Sequence, residues 1–468
     1  MATKQVAYSK RRALCQELYQ YCLIPNDQFK FETHFTKIYE IIDQINEEEK
    51  NIPLCVKKVR THLDFENFLK FLKENNCEVE KNIKIEKTSQ CENDFSVSAV
   101  KSYAKGDLVF SIPENLILTI NSLGENRLKQ LAKEDKMLSS MPNVALALTM
   151  LYIKQNNDSN EEFSKWSSYM NILPSEFNTP LYFSLDEIKS LKNSQSFADI
   201  IFHIRNISRI YAYTINLLES KEEFSKFYNN FSFENFRWAV SVVSTRQNQI
   251  HDENNKSLLA MIPLLDMCNH EEGQFCTDYD DKTRSALCYA QKDFKTGDQI
   301  TIFYGSRTNL EMLIHNGFVC EKNKHDCVKL KLSVSNEDVL FEKRSDVLKK
   351  YKLNATEVFE WNENCHSYEK LLPRLFVYIK IFISKTEADL EAIQNDEAIS
   401  EEEYFNKSDL FNDQEIRQFL KIRLTLLIKS TEMSSKKCLK TTNGIFIGRL
   451  LDSEQYLLKI FLDFVSNQ

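Results

Sequence analysis

Glycine is scarce in this chain, and its distribution limits where the backbone can turn sharply or approach another group. There are eight glycines in 468 residues, against a usual share of about 7%, yet Gly273, Gly297, Gly305 and Gly317 fall within 45 residues of one another. Residues with side chains resist positive φ, so glycine is needed where the chain bends tightly. Tight turns and close approaches are therefore expected in that one region. Two apolar runs with polar ends lie in the same region. The first is Met261-Ile262-Pro263-Leu264-Leu265-Asp266-Met267-Cys268-Asn269-His270, and the second is Ile302-Phe303-Tyr304-Gly305. An asparagine amide offers two donors and an acceptor, enough to fix a polar ligand edge. A tyrosine at a strand end packs its ring while directing its hydroxyl elsewhere.

The length exceeds what one ordinary core supports, so two or three domains are expected. A hydrophobic share of 42% with 27% charged residues fits a folded globular chain. The net charge of −8 argues against broad nucleic-acid binding, which needs a basic face. The start, Met1 to Arg12, has no apolar core of a secretory leader. No run of roughly 18 apolar residues is present, so no membrane span is expected. The 12 cysteines include no Cys-x-x-Cys pair. They predict free buried thiols in a reducing compartment, hence a cytoplasmic location with a nuclear pool as the alternative, and no metal site.

Periodicity predicts helices over Lys10–Leu23 and Phe35–Ile45, with Glu47-Glu48-Glu49 as a solvated acidic face. Asp64 is expected to cap a helix over Phe65–Lys73. Strands are expected at Ile83–Lys87, Phe95–Val100, Leu108–Ile112 and Leu116–Ile120. A helical block then runs from about Leu128 to Trp238, including Val144–Ile153 and Ile200–Leu218. Strands resume at Leu258–Leu265, Arg284–Ala290, Gln299–Phe303 and Cys327–Val334, with a short helix at Asn309–His315. From about Ser335 the pattern is almost wholly helical, with apolar stripes in Tyr368–Ile383, Asp413–Ile428 and Ile445–Phe464. The expected fold is α+β: an N-terminal helical region (1–80), a β-rich unit (81–320) with a helical insertion at about 125–235, and an all-α C-terminal module (335–468).

Further motifs flank the polar-ended runs. They are Phe236-Arg237-Trp238-Ala239-Val240-Ser241, Thr245-Arg246-Gln247-Asn248-Gln249-Ile250, Tyr304-Gly305-Ser306-Arg307, and Leu173-Pro174-Ser175-Glu176-Phe177-Asn178-Thr179-Pro180. With Asn269-His270, these resemble SET-domain methyltransferases of the Rubisco large-subunit methyltransferase branch. Arg-Gln-Asn-Gln is the sharper signal for a histidine-specific subgroup whose substrate is actin. The resemblance implies a SET-domain β-fold with a helical insertion and a C-terminal substrate-binding domain. It also implies S-adenosyl-L-methionine as methyl donor, without a metal, in a monomer acting on actin.

The resemblance assigns the donor to Arg246, Asp266, Met267, Cys268, Asn269, His270, Asn316, Gly317, Phe318 and Phe95, with Arg60 as a further candidate. It puts Tyr304 at the methyl channel, Asn248 at the accepting imidazole, and Gln247, Leu265 and Arg307 along the peptide. A guanidinium suits the donor's carboxylate. An asparagine carbonyl that accepts one imidazole N–H leaves the other nitrogen's lone pair for the methyl carbon. His270 is expected to act structurally, and His315 and His366 to be ordinary packed or surface residues. Relatives have Gly-x-Gly where this chain has Asn93-Asp94-Phe95-Ser96-Val97, and a tryptophan where it has Leu265. The rival readings are a protein-lysine methyltransferase and a catalytically weak scaffold.

Overall fold

The computed structural model describes residues 2–56, 59–87, 95–157, 160–252, 254–363, 368–395, 413–435 and 440–467. His366, Asn93 and Asp94 lie outside them. The chain forms two compact units. The first comprises Met1–Leu185, Ile200–Ser306 and Ile314–Gly317; the second comprises Asp186–Asp199, Arg307–Leu313 and Phe318–Gln468.

In the first unit, strands β1 (Ile83–Lys87) and β2 (Phe95–Ala99) pair antiparallel with Ile85 opposite Val97. Strand β3 (Leu108–Pro113) places Val109, Phe110 and Ile112 in the core. Leu116–Ile120 holds only a two-residue strand, β4 (Leu118–Thr119), between short 3₁₀ turns. Strand β5 (Gln247–His251) pairs with β6 (Ser257–Met261), which also pairs with β4. The expected strand at Leu258–Leu265 stops at Met261, because the chain turns at Pro263 and Leu264 takes φ of 72°. Strand β7 (Asn269–His270) runs parallel to β10 (Thr301–Ile302), and β8 (Thr277–Asp280) and β9 (Ser285–Tyr289) continue the sheet begun by β3.

The insertion is helical. Helix Pro142–Asn156 is apolar on all sides and buries Val144 to Leu151 without interruption. Its first residue is a proline, whose missing N–H costs nothing there. Two further sequence expectations fail in this unit. The helix Thr36–Glu49 carries a buried stripe of Ile38, Ile41, Ile42 and Ile45, and Glu49 continues that stripe instead of facing water. It is 4% exposed. Arg11 Nε lies 2.7 Å from its Oε1, the Phe233 N–H donates to its Oε2 at 2.6 Å, and the Tyr211 hydroxyl also donates to it. Three successive helical residues span about 200° of the helix, so an acidic triplet on a packed helix must turn one member inward. The other correction is at Asp64. The helix is His62–Glu74, capped by Thr61, and Asp64 accepts the Thr61 N–H at 2.7 Å from the third helical position.

The second unit is mainly helical. Helices Phe341–Lys350, Tyr368–Ile383, Glu387–Asn395, Gln414–Ser435 and Thr442–Asn467 surround one core. The region after Ser335 nevertheless holds a strand, β12 (Thr356–Trp361), antiparallel to β11 (Val328–Ser333). Strand β11 alternates Val328, Leu330 and Leu332 into the core and requires a partner. Strand β12 supplies it while burying only Phe359 and Trp361, so its sequence pattern is weak. A piece of the insertion belongs here too. Ser194 Oγ donates to Glu454 Oε1 at 2.7 Å, and Gln195 Oε1 accepts the Lys329 N–H at 3.0 Å.

Candidate active site

The site is built where helix Phe233–Arg246 runs directly into β5. The helix is capped by Ser232, whose Oγ accepts the Asn235 N–H at 3.2 Å. It is braced by the Trp238 indole, which donates to the Pro174 carbonyl at 2.8 Å. Arg246 is its last residue, and Gln247 and Asn248 begin the strand. The Asn248 Nδ2 donates to the Arg246 carbonyl at 3.1 Å. That bond orients the amide, so Oδ1 is left as its acceptor. Gln247 sits opposite Met261, and its buried Oε1 has no partner.

From Met261 the chain passes through the strained Leu264 into a 3₁₀ turn, Leu265–Met267. A β-branched or bulky residue at positive φ is costly and persists only where surroundings enforce it. Leu265 is 2% exposed and packs in the core, so it offers a peptide almost no surface here. Met267 and Cys268 are also buried, leaving backbone as their available contact. Asn269 is exposed beside them.

Tyr304 follows β10, and its hydroxyl donates to the Cys268 carbonyl at 2.8 Å. Its own N–H donates to His270 Nδ1 at 3.2 Å, so that nitrogen serves as an acceptor. The His270 ring sits 5.2 Å from Tyr304 and 5.8 Å from Phe303. This is a structural arrangement, with no acid–base assignment. The run Met261–Cys268 thus links the two expected catalytic residues: Gln247 and Asn248 flank its start, and Tyr304 bonds its end.

Asp266 lies in the same turn. The buried Tyr169 hydroxyl donates to its Oδ2, and its Oδ1 is sealed from solvent without a partner. Burial pushes the carboxyl up to about 6, opposed by the positive charge of Arg246. Sequence reasoning did not single out Tyr169; a contact 97 residues away has no local signal.

Phe95 opens β2, which packs beside the Leu265–Met267 turn. Its ring stacks on Phe65 at 3.9 Å, and the Arg60 guanidinium lies over it at 5.3 Å. Asn316 and Gly317 end the helix Asn309–Asn316. Gly317 takes φ of 78°, and a side chain there would meet Thr179 N at 3.3 Å. His315 is packed, with Nδ1 3.4 Å from Ser244 Oγ. Phe318 and Arg307 fall in the second unit, where the Arg307 carbonyl accepts from Asn323 at 2.8 Å. The nine described cysteines are free thiols, and no group of metal-ligating side chains occurs among the described residues. No described helix is long and apolar enough to cross a membrane.

A family profile for the SET domain matches residues 94–305. This segment is similar to SET domains. It contains Phe95, Tyr169, the Arg246–Asn248 turn, the Asp266–His270 run and Tyr304. The chain is 33% identical over 400 residues to the actin-histidine N-methyltransferase of Mus musculus, covering 84% of this chain and 65% of that protein. It is 33% identical over 391 residues to the Gallus gallus enzyme of the same name, covering 82% and 64%. The chain therefore spans just under two thirds of the length of these relatives. Among solved structures, the SET domain of LSMT bound to lysine and AdoHcy matches with a TM-score of 0.65 at 18% identity, covering 86% of this chain and 91% of that one. Rubisco LSMT bound to AdoMet matches with a TM-score of 0.62, also at 18% identity, covering 86% and 92%. These likenesses agree with the α+β fold around the SET domain and the helical C-terminal region.

Proposed function

We propose that this protein is an S-adenosylmethionine-dependent protein-histidine N-methyltransferase acting on actin. The observation that carries the reading is the Asn248 amide. One N–H of its NH₂ group is given to the Arg246 carbonyl, which orients the amide and leaves Oδ1 as the atom to receive an imidazole N–H. The 33% identity to a protein named actin-histidine N-methyltransferase supports the same acceptor.

The donor binds through Arg246 to its carboxylate and through the Asp266–His270 backbone and Asn269 amide to its polar edges. Phe95, Arg60, Asn316 and Gly317 complete its surroundings. Tyr304, held on the Cys268 carbonyl, lines the passage to the acceptor. Gln247 contacts the peptide. Asn248 selects one tautomer of the substrate imidazole. The lone pair of the other nitrogen attacks the methyl carbon, the carbon–sulfur bond pair returns to sulfur, and the ring N–H proton leaves afterwards. A neutral imidazole is nucleophilic near neutral pH, so no strong base is required. Orientation supplies several kcal/mol, on the order of what proximity gives well-aligned reactants. The reaction needs no metal. The protein works as a cytoplasmic monomer.

The test is methylation of purified actin with labelled donor, read by peptide mass spectrometry. Label on a histidine, lost when that histidine is changed to alanine, is expected. Label that persists on the altered actin, or maps to a lysine, would refute histidine specificity. No transfer, with no heat on titration with S-adenosylhomocysteine at millimolar concentration, would leave only a scaffold.

A further inference from the structure

Phe275 has no part in the roles given above. It is 73% exposed, and a single exposed aromatic is ordinary on a protein surface. Its surroundings set it apart. The ring stands edge-on to Phe303, with centroids 5.3 Å apart. It also lies against the bare backbone of Gly305, where an added Cβ would sit 3.6 Å from Phe275 Cζ. Gly305 directly follows Tyr304, so the ring meets the chain beside the methyl passage. Phe275 also walls a cavity of about 370 Å³, within the roughly 300–1,000 Å³ range of ligand pockets. The other walls include Lys105, Cys276, Asp278, Tyr289 and Ala290. Lys105 and Asp278 are exposed and of opposite charge, so the cavity has no net charge with which to select an ionic group. The two rings and Ala290 offer apolar surface, which suits a bulky apolar side chain.

The cavity adjoins an open strand edge. Strand β8 (Thr277–Asp280) is the outer strand of its sheet and pairs only with β9 among the described residues. The Tyr289 N–H donates to the Cys276 carbonyl at 2.7 Å, so the Cys276 backbone faces β9. By alternation Thr277 turns its own N–H and carbonyl outward. Two residues on, the Asp278 side chain accepts the Tyr279 N–H at 2.8 Å and closes that part of the edge. An edge open at Thr277 and blocked beyond it fits a short extended segment.

We propose that Phe275 is a specificity-determining residue for the protein substrate. The segment beside the accepting histidine lies extended along Thr277 and places one bulky apolar side chain in the Phe275 cavity. This deepens the proposed function and rests on it.

The test is a double-mutant cycle on the full chain. The probes are actin and a synthetic actin peptide centred on the methylated histidine, with each apolar flanking residue of the peptide changed to alanine in turn. Wild type is expected to lose roughly tenfold in kcat/KM, through KM, at one flanking position, the scale of an interface anchor. Phe275→Ala should lose a similar factor on the parent peptide, and the same flanking change should then cost nothing more. Phe275→Leu, which keeps an apolar wall, should restore most of the loss. S-adenosylhomocysteine affinity, read by calorimetry, should be unchanged in both variants. Losses that multiply, or a Phe275→Ala KM equal to that of wild type, would overturn the proposal. An equal fall in S-adenosylhomocysteine affinity would make Phe275 merely structural and overturn it too. So would wild-type protein that methylates actin but not the peptide, since recognition would then lie outside the flanking segment. Each of these leaves the histidine reading intact. Wild-type protein that labels no histidine of either substrate would remove that reading, and this proposal with it.

Discussion

Replacing Gly317 with alanine tests whether the donor region depends on one glycine. Gly317 ends the helix Asn309–Asn316 at φ of 78°. An L-residue held in that region costs about 1–2 kcal/mol. The added methyl would also lie 3.3 Å from Thr179 N, 3.4 Å from Asn178 C and 3.4 Å from Thr179 Cγ2. Two of these are backbone atoms, which cannot rotate away, and overpacking of this kind costs about 1–3 kcal/mol. Together the perturbation is on the order of 2–5 kcal/mol. It is relieved either by shifting Asn316-Gly317 or by pushing the Asn178-Thr179 loop aside. Gly106→Ala is the matched comparison. Its φ is 90°, but nothing lies within 4 Å of the added atom. It therefore carries only the conformational cost. Urea unfolding gives the stability change, and calorimetry with S-adenosylhomocysteine gives donor affinity. Gly317→Ala should destabilise more than Gly106→Ala and weaken donor binding at least roughly tenfold, or ~1.4 kcal/mol. Gly106→Ala should leave the affinity unchanged. If Gly317→Ala binds the donor normally and costs no more stability than Gly106→Ala, the argument from close approach is wrong.

Other outcomes follow from the same geometry. Asn248→Ala should reduce transfer to a histidine by two orders of magnitude or so, the loss expected when orientation fails, while the S-adenosylhomocysteine affinity moves little; equal loss of both would reassign Asn248. Asp266, whose carboxyl burial pushes up to about 6, favours the folded state most below its unfolded value of 3.8, and that contribution is lost as pH rises through about 6; urea unfolding across this range should show the loss, and Asp266→Asn should flatten it. Arg11→Met should cost about 3–5 kcal/mol in urea unfolding because it strands the buried Glu49 carboxylate, and adding Glu49→Gln should recover much of it. A single variant no weaker than the double would show that the Arg11–Glu49 pair is not coupled as its 2.7 Å separation indicates.

Much of this protein is set by local rules and is legible in its sequence. The alternation in Val328–Ser333, the run Val144–Leu151 that the helix Pro142–Asn156 buries, and the Thr61–Asp64 capping pair depend on neighbours no more than a few residues away. The Glu49 inversion was legible too, since Glu49 falls four residues after Ile45 on one stripe. The Arg246–Asn248 turn and the Asp266–His270 run are contiguous, so their residue types were visible in order. What the sequence could not fix was which distant partner each polar group would meet. Tyr169 reaches Asp266 across 97 positions, Tyr211 reaches Glu49 across 162, and Ser194 reaches Glu454 across 260. The strand Thr356–Trp361 forms because Val328–Ser333 leaves backbone groups to be paired, not because its own pattern is strong. Periodicity and capping act over one or two turns of chain, whereas satisfying a buried charge or an open strand edge is settled only when the whole core closes around it.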